Sequence, residues 1–148
     1  MVMKLDTTRF GTVEIQADDI LFFRYGLFGF EDQQHWVLLS DINNSAVAWL
    51  QSMQKTSLAM PVVSPRRFVS DYQVQLDERQ ISLLSLTTEE QAYVLSIVSR
   101  NEQDLTTNLR APIVINLDRR LGCQVVTADD QPMQFPLTEI PVAVRKIA

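Results

Sequence analysis

Few side chains in this chain can do acid, base or nucleophilic chemistry, and their spacing does not assemble a catalytic centre. His35 is the only histidine and Cys123 the only cysteine. A nucleophilic triad needs a base held against a serine or thiol, so His35, inside the strand-like run Gln34-His35-Trp36-Val37, would serve every histidine role by itself. One histidine and one cysteine fall short of a structural zinc set, and a single thiol excludes an internal disulfide. Cys123 reads as a small buried hydrophobe in a reducing compartment. Carboxylates occur in pairs, Asp18-Asp19, Glu89-Glu90 and Asp129-Asp130, and two carboxylates in a cleft support acid/base catalysis when their pKa values are driven apart. Neighbours in a loop point apart, however, and the flanks of these pairs read as turns or helix starts, where a carboxylate serves solvent or the helix dipole. The glycines, Gly11, Gly26, Gly29 and Gly122, form no phosphate-cradling GxGxxG or GxxxxGKS/T pattern. No catalytic residue, metal, cofactor or small-molecule substrate is expected.

Recognition is the chemistry that remains. Gly26-Leu27-Phe28-Gly29-Phe30-Glu31 follows the apolar run Ile20-Leu21-Phe22-Phe23, and glycines three positions apart permit a sharp reversal at positive φ. Turns are ordinarily polar. An apolar one either folds its side chains back as a plug, which suits Leu27 and Phe30, or offers them to a partner, which suits Phe28 beside Glu31 and Asp32. The net charge of −5 disfavours direct nucleic-acid binding, which needs clustered lysine and arginine. Glu14, Asp18, Asp19, Glu31, Asp32 and Asp41 stand against Arg24 alone between positions 14 and 41. If the fold gathers these carboxylates, their field attracts a basic partner and repels RNA; if not, they are a solvated surface.

The elements that must position these residues are mostly strands. At 148 residues a single domain buries roughly 70 % of its unfolded surface without staples. Apolar runs are far shorter than the ~20 residues of a membrane span, and the first residues lack an export signal, so the cytoplasm is the default location. Strand-like segments recur at 3–6, 12–16, 20–23, 35–40, 47–51, 58–63, 92–99, 112–117 and 122–127. Arg9-Phe10-Gly11 and Asp118-Arg119-Arg120-Leu121-Gly122 read as hairpin turns. Tyr93 to Val98 is apolar on both faces and reads as central, whereas Pro61 places its strand at a rim. A short helix is predicted over 78–84, with Asp77 and Gln80 as a capping box, and a weaker start at Thr87-Thr88-Glu89-Glu90. The fold class is mainly β: a single-domain antiparallel β-barrel-like fold with one or two short helices.

Further blocks accompany the hexapeptide: Ala48-Trp49-Leu50-Gln51-Ser52, Pro65-Arg66-Arg67-Phe68 with Tyr72, Thr107-Asn108-Leu109-Arg110-Ala111-Pro112-Ile113-Val114-Ile115-Asn116, and Gly122-Cys123-Gln124-Val125. In this order and spacing the chain resembles the FliW family of flagellar assembly factors. The resemblance implies a family-like core over about residues 8–127 and a variable C-terminal tail over about 128–148. Phe28 stands where the family usually carries proline, exchanging a fixed φ for a large apolar side chain. The resemblance also implies a non-enzymatic cytoplasmic adaptor that binds flagellin and, when flagellin is scarce, the RNA-binding translational regulator CsrA, thereby controlling flagellin translation. Phe28, Glu31, Asp32 and Tyr72 are the candidate partner-binding residues. Gly26, Leu27, Gly29, Phe30, Asn108, Pro112 and Asn116 read as architecture, with Trp49 in the core. Two other classes remain, a small hydrolase using His35 or an acidic pair and an oligonucleotide-binding barrel; loss of activity in His35→Ala marks the first and a low-salt gel shift the second.

Overall fold

A computed structural model describes residues 2–88 and 91–137. The predicted members Glu89 and Glu90 of the second helix start, and Pro141 of the tail, lie outside the described residues. Strands β1 (Val2–Thr7) and β2 (Gly11–Gln16) form a hairpin of their own, in register from Val2 opposite Gln16 to Thr7 opposite Gly11. Gly11 turns the chain at φ +68°, and the Thr7 hydroxyl donates to the Gly11 carbonyl and accepts from the Phe10 amide, both at 2.8 Å. A 3-10 turn, Ala17–Asp19, leads into the main sheet.

That sheet holds β3 (Ile20–Phe23), β4 (His35–Ser40), β5 (Val47–Ser52), β6 (Ala59–Val63), β7 (Ala92–Arg100), β8 (Leu105–Thr107), β9 (Ile113–Asn116), β10 (Leu121–Gln124) and β11 (Phe135–Pro136). Its order is β11-β8-β7-β6-β5-β4-β3-β10-β9, and an additional β7–β9 pairing closes seven strands into a barrel. All pairings are antiparallel except β10 with β3, where Gly122 stands opposite Phe23. The barrel agrees with the mainly β expectation, and β7 is central, contacting β6, β8 and β9.

Strand alternation sorts the core. Leu21, Phe23, Trp36, Leu50, Val62, Leu95, Ile113 and Ile115 pack together with Leu27, each from one face of its strand or loop. The other faces are covered too. The β1–β2 hairpin lays Leu5 and Ile15 against Val37 of β4, and Trp49, Val63, Val98 and Leu105 form another cluster with Leu137. The helix α1 (Glu78–Leu83) follows the predicted box: Asp77 Oδ1 accepts from the Gln80 amide at 2.8 Å, and Gln80 Oε1 from the Asp77 amide at 3.0 Å. Just past its end, Leu84 packs with Val114, Cys123 and Val125.

One expectation changes. The strand bearing Pro61 is internal, flanked by β5 and β7; Pro61 lies opposite Trp49, and the β7 ladder begins only at Val62, so no hydrogen bond to β7 is demanded of the missing N–H. Beyond Ala128, Phe135–Pro136 pairs with β8, the Leu137 amide donates to the Leu105 carbonyl, and Leu137 is buried. Among the described residues no helix is long and apolar enough to cross a membrane.

Candidate protein-interaction site

The glycine loop is held rigidly by its own backbone. The Gly26 amide donates to the Phe23 carbonyl at 2.9 Å, Leu27 and Phe30 form a bridge, and Glu31 turns its carboxylate back onto the Gly29 amide at 2.8 Å. At its exit the Gln33 amide donates to the Phe30 carbonyl, and the Trp36 indole to the Gln33 carbonyl. A long-range bond ties the loop to the barrel: Gln124 on β10 accepts from the Phe28 amide at 2.8 Å while its own amide donates to the Ala111 carbonyl at 3.0 Å. Such bracing fixes the three apolar side chains differently. Leu27 is in the core, Phe30 packs half-buried against it, and Phe28 is 51 % exposed.

Beside Phe28 stands Tyr25, 53 % exposed, with the guanidinium carbons of Arg24 and Arg79 at 5.7 and 5.9 Å from its ring centre. The Arg79 hydrogen bond, and then the Arg24 charge, hold the Tyr25 phenol below its ordinary pKa. Between loop and helix runs a groove of about 190 Å³ lined by Phe28, Tyr25, Arg79, Leu83, Gln124 and Val125. On the far side of α1 a wider depression of about 610 Å³ is lined by Leu76, Ile81, Leu86, Val94 and Val114, with Arg66 among its polar residues. Arg24 and Tyr25, directly before the hexapeptide, and Gln124, inside a block already singled out, carried the sequence signal for this surface; Arg79, on a separate helix, carried none.

The candidate carboxylates are not gathered into one patch. Glu31 caps the loop, Asp19 accepts from the Gln16 amide, Asp18 pairs with Arg120 at 3.5 Å, and Asp41 accepts from the Trp49 indole and from the Asn43 and Asn44 amides. Glu14 sits on the separate hairpin opposite Lys4. Asp32 is exposed beside the loop.

Tyr72 is corrected from surface to core. It is 2 % exposed, and its hydroxyl donates to the Leu109 carbonyl at 2.5 Å. Burial, and then the Asp129 charge, push its phenol up to about 12. A raised folded-state value means that this contribution to stability is complete below the ordinary phenol pKa near 10 and is lost as pH rises through 12. Tyr72→Phe is expected to cost about 1–2 kcal/mol at neutral pH and to flatten the loss of stability between pH 10 and 12, as measured by urea unfolding across that range; an unaltered alkaline slope counts against this reading.

The remaining motif residues brace the scaffold. Asn108 Oδ1 accepts from the Arg110 and Ala111 amides, leading into Pro112 and β9. The buried Asn116 donates to the Leu84 carbonyl at 2.9 Å and to that of Ser85 at 3.4 Å, fastening the end of α1 to the barrel. His35 is exposed with its ring 5.3 Å from that of Phe22, and burial pushes the Cys123 thiol up to about 11, which keeps it protonated and a poor nucleophile.

The family model described as FliW protein matches residues 4–137 of the chain. The chain is 38% identical over 138 residues to the flagellar assembly factor FliW of Clostridium tetani, covering 91% of itself and 95% of that protein. Against the flagellar assembly factor FliW of Bdellovibrio bacteriovorus it is 38% identical over 130 residues, 86% and 74% of the two chains. A solved structure, titled as the crystal structure of the flagellar assembly factor FliW, superposes with a TM-score of 0.81 at 30% identity, covering 93% of this chain and 100% of the other.

Proposed function

The chain belongs to the FliW family of flagellar assembly factors, and on that premise we propose a non-enzymatic cytoplasmic adaptor that binds flagellin and antagonises the translational regulator CsrA by exchanging one partner for the other. The observation that carries this reading is Phe28, a large apolar side chain half exposed on a loop whose backbone is pinned on both sides. A rigid, exposed aromatic gains contact area at little cost in conformational entropy, which is the character of an interface anchor. Tyr25 beside it extends the same surface.

Exclusive occupancy is enough to make a switch. Flagellin at about 100 times its Kd weakens the apparent affinity for CsrA about 100-fold, roughly 2.7 kcal/mol of competition. Titrating flagellin into the preformed complex with CsrA, followed by fluorescence anisotropy, is expected to release CsrA along that curve; an unchanged CsrA affinity at saturating flagellin ends the proposal. Phe28→Ala is expected to weaken flagellin binding at least about 10-fold, in the range of an interface hot spot, with the thermal midpoint lowered only slightly because the side chain is already half exposed in the free protein. Undiminished binding by Phe28→Ala removes the loop from the flagellin surface.

A further inference from the structure

We propose that the groove between the glycine loop and α1 receives a segment of flagellin in which a large apolar side chain stands next to a carboxylate. This rests on the flagellin reading above and names the part of flagellin that the site selects. The groove is small, about 190 Å³, below the roughly 300–1,000 Å³ of sites for drug-sized ligands. It suits an anchoring side chain of a peptide. Its apolar lining comes from Leu83, Cys123 and Val125, and Phe28 and Tyr25 stand exposed at its side.

The sign of the charge selects the neighbour of that anchor. The chain as a whole carries −5, yet here two guanidiniums flank one exposed phenol. Among the described residues the ion pairs are Arg110 with Asp130 and Arg120 with Asp18, so Arg24 and Arg79 enter none. Asp77 also lines the groove, and its carboxylate, whose Oδ1 accepts from the Gln80 amide as the cap of α1, offsets one of the two guanidiniums and leaves the other in excess. Arg79 lines the apolar slot, with donors to spare beyond its bond to Tyr25, and Arg24 lies 5.7 Å from the same ring; with no ion-pair partner among the described residues, the two guanidiniums offer charge-assisted, fork-shaped bonds to a carboxylate, a geometry in which arginine surpasses lysine. The acid supplied by the partner then completes what the fold leaves open, and a basic segment is turned away.

Photocrosslinking combined with neutralisation tests this with intact, unpolymerised flagellin as the probe. With the photoreactive p-benzoylphenylalanine in place of Phe28, mass spectrometry is expected to place the crosslink on a flagellin segment with Asp or Glu within about four residues of a large apolar side chain. Changing those acids to Asn or Gln is expected to weaken binding to the wild-type chain about 10-fold, and binding to the Arg24→Gln/Arg79→Gln double variant less than twofold. A crosslink to a segment without a carboxylate, no crosslink from a bound complex, or a double variant that holds flagellin as tightly as wild type overturns the groove assignment and leaves the adaptor reading standing. Flagellin that fails to bind the wild-type chain at all overturns both.

Discussion

Replacing Gly26 with alanine is expected to lower the unfolding free energy by about 3 kcal/mol, in contrast to a loss of about 1–2 kcal/mol for the same change at Gly29. Both glycines have positive φ, +64° and +88°, so both substitutions carry the left-handed penalty of an L-residue. Only at Gly26 is the space also taken. A Cβ there falls 2.4 Å from the Phe30 carbonyl oxygen and 2.8 Å from the Glu31 Cα, both backbone atoms that the Leu27–Phe30 bridge and the following turn hold in place. At Gly29 a Cβ meets nothing within 4 Å. Urea unfolding of the two variants measures the difference, and equal losses would show that conformation alone, without the close backbone approach, fixes this loop. On the proposed function, Gly26→Ala is also expected to weaken flagellin binding, because relief of the clash displaces Phe28 from Gln124, whereas Gly29→Ala leaves that hydrogen bond intact.

The same loop marks how far the residues speak before they are folded. Local chemistry is legible: strand alternation, the hairpin glycine, the capping box of α1 and the division of Leu27 from Phe28 each depend on residues close in sequence, where periodicity and φ preference act directly. Tyr72 is the opposite case. An aromatic ring with a polar tip suits an interface or a buried hydrogen bond equally, and the Leu109 carbonyl that decides between them lies 37 residues away. Strands β8 and β11, three and two residues long, are too short to show alternation and exist because a neighbouring strand pairs with them. A rule about whole strands puts Pro61 at an edge, although the β7 ladder covers only Val62 and Val63 of its strand. Arg79 joins the site because Asn116 fastens the end of its helix to β9, a contact invisible until the barrel closes. What remains hidden in the sequence is therefore the long-range pairing that turns single side chains into a surface.

Gly122→Ala is the second large effect, and its cause lies across strands rather than in φ. Gly122 stands opposite Phe23 at the parallel β10–β3 pairing, and a Cβ there would lie 2.4–2.7 Å from three carbon atoms of the Phe23 ring. That ring is fully buried and packs in the cluster of Leu21, Leu27 and Trp36, so it cannot step aside without opening the core. Overpacking of this kind is expected to cost about 2–3 kcal/mol, felt at the parallel pairing that joins β10 to β3. The clash model makes a sharper demand through a second substitution. Phe23→Leu alone removes packing and destabilises, but in the Gly122→Ala background it also vacates the space the new methyl group needs. The double variant should therefore be more stable than the sum of the single losses by at least about 1 kcal/mol, the size of coupling seen between residues in contact. Strict additivity in urea unfolding of the four proteins would mean that the aromatic ring is not what reserves this position for glycine, and that the β10 backbone itself cannot accept a side chain at that point.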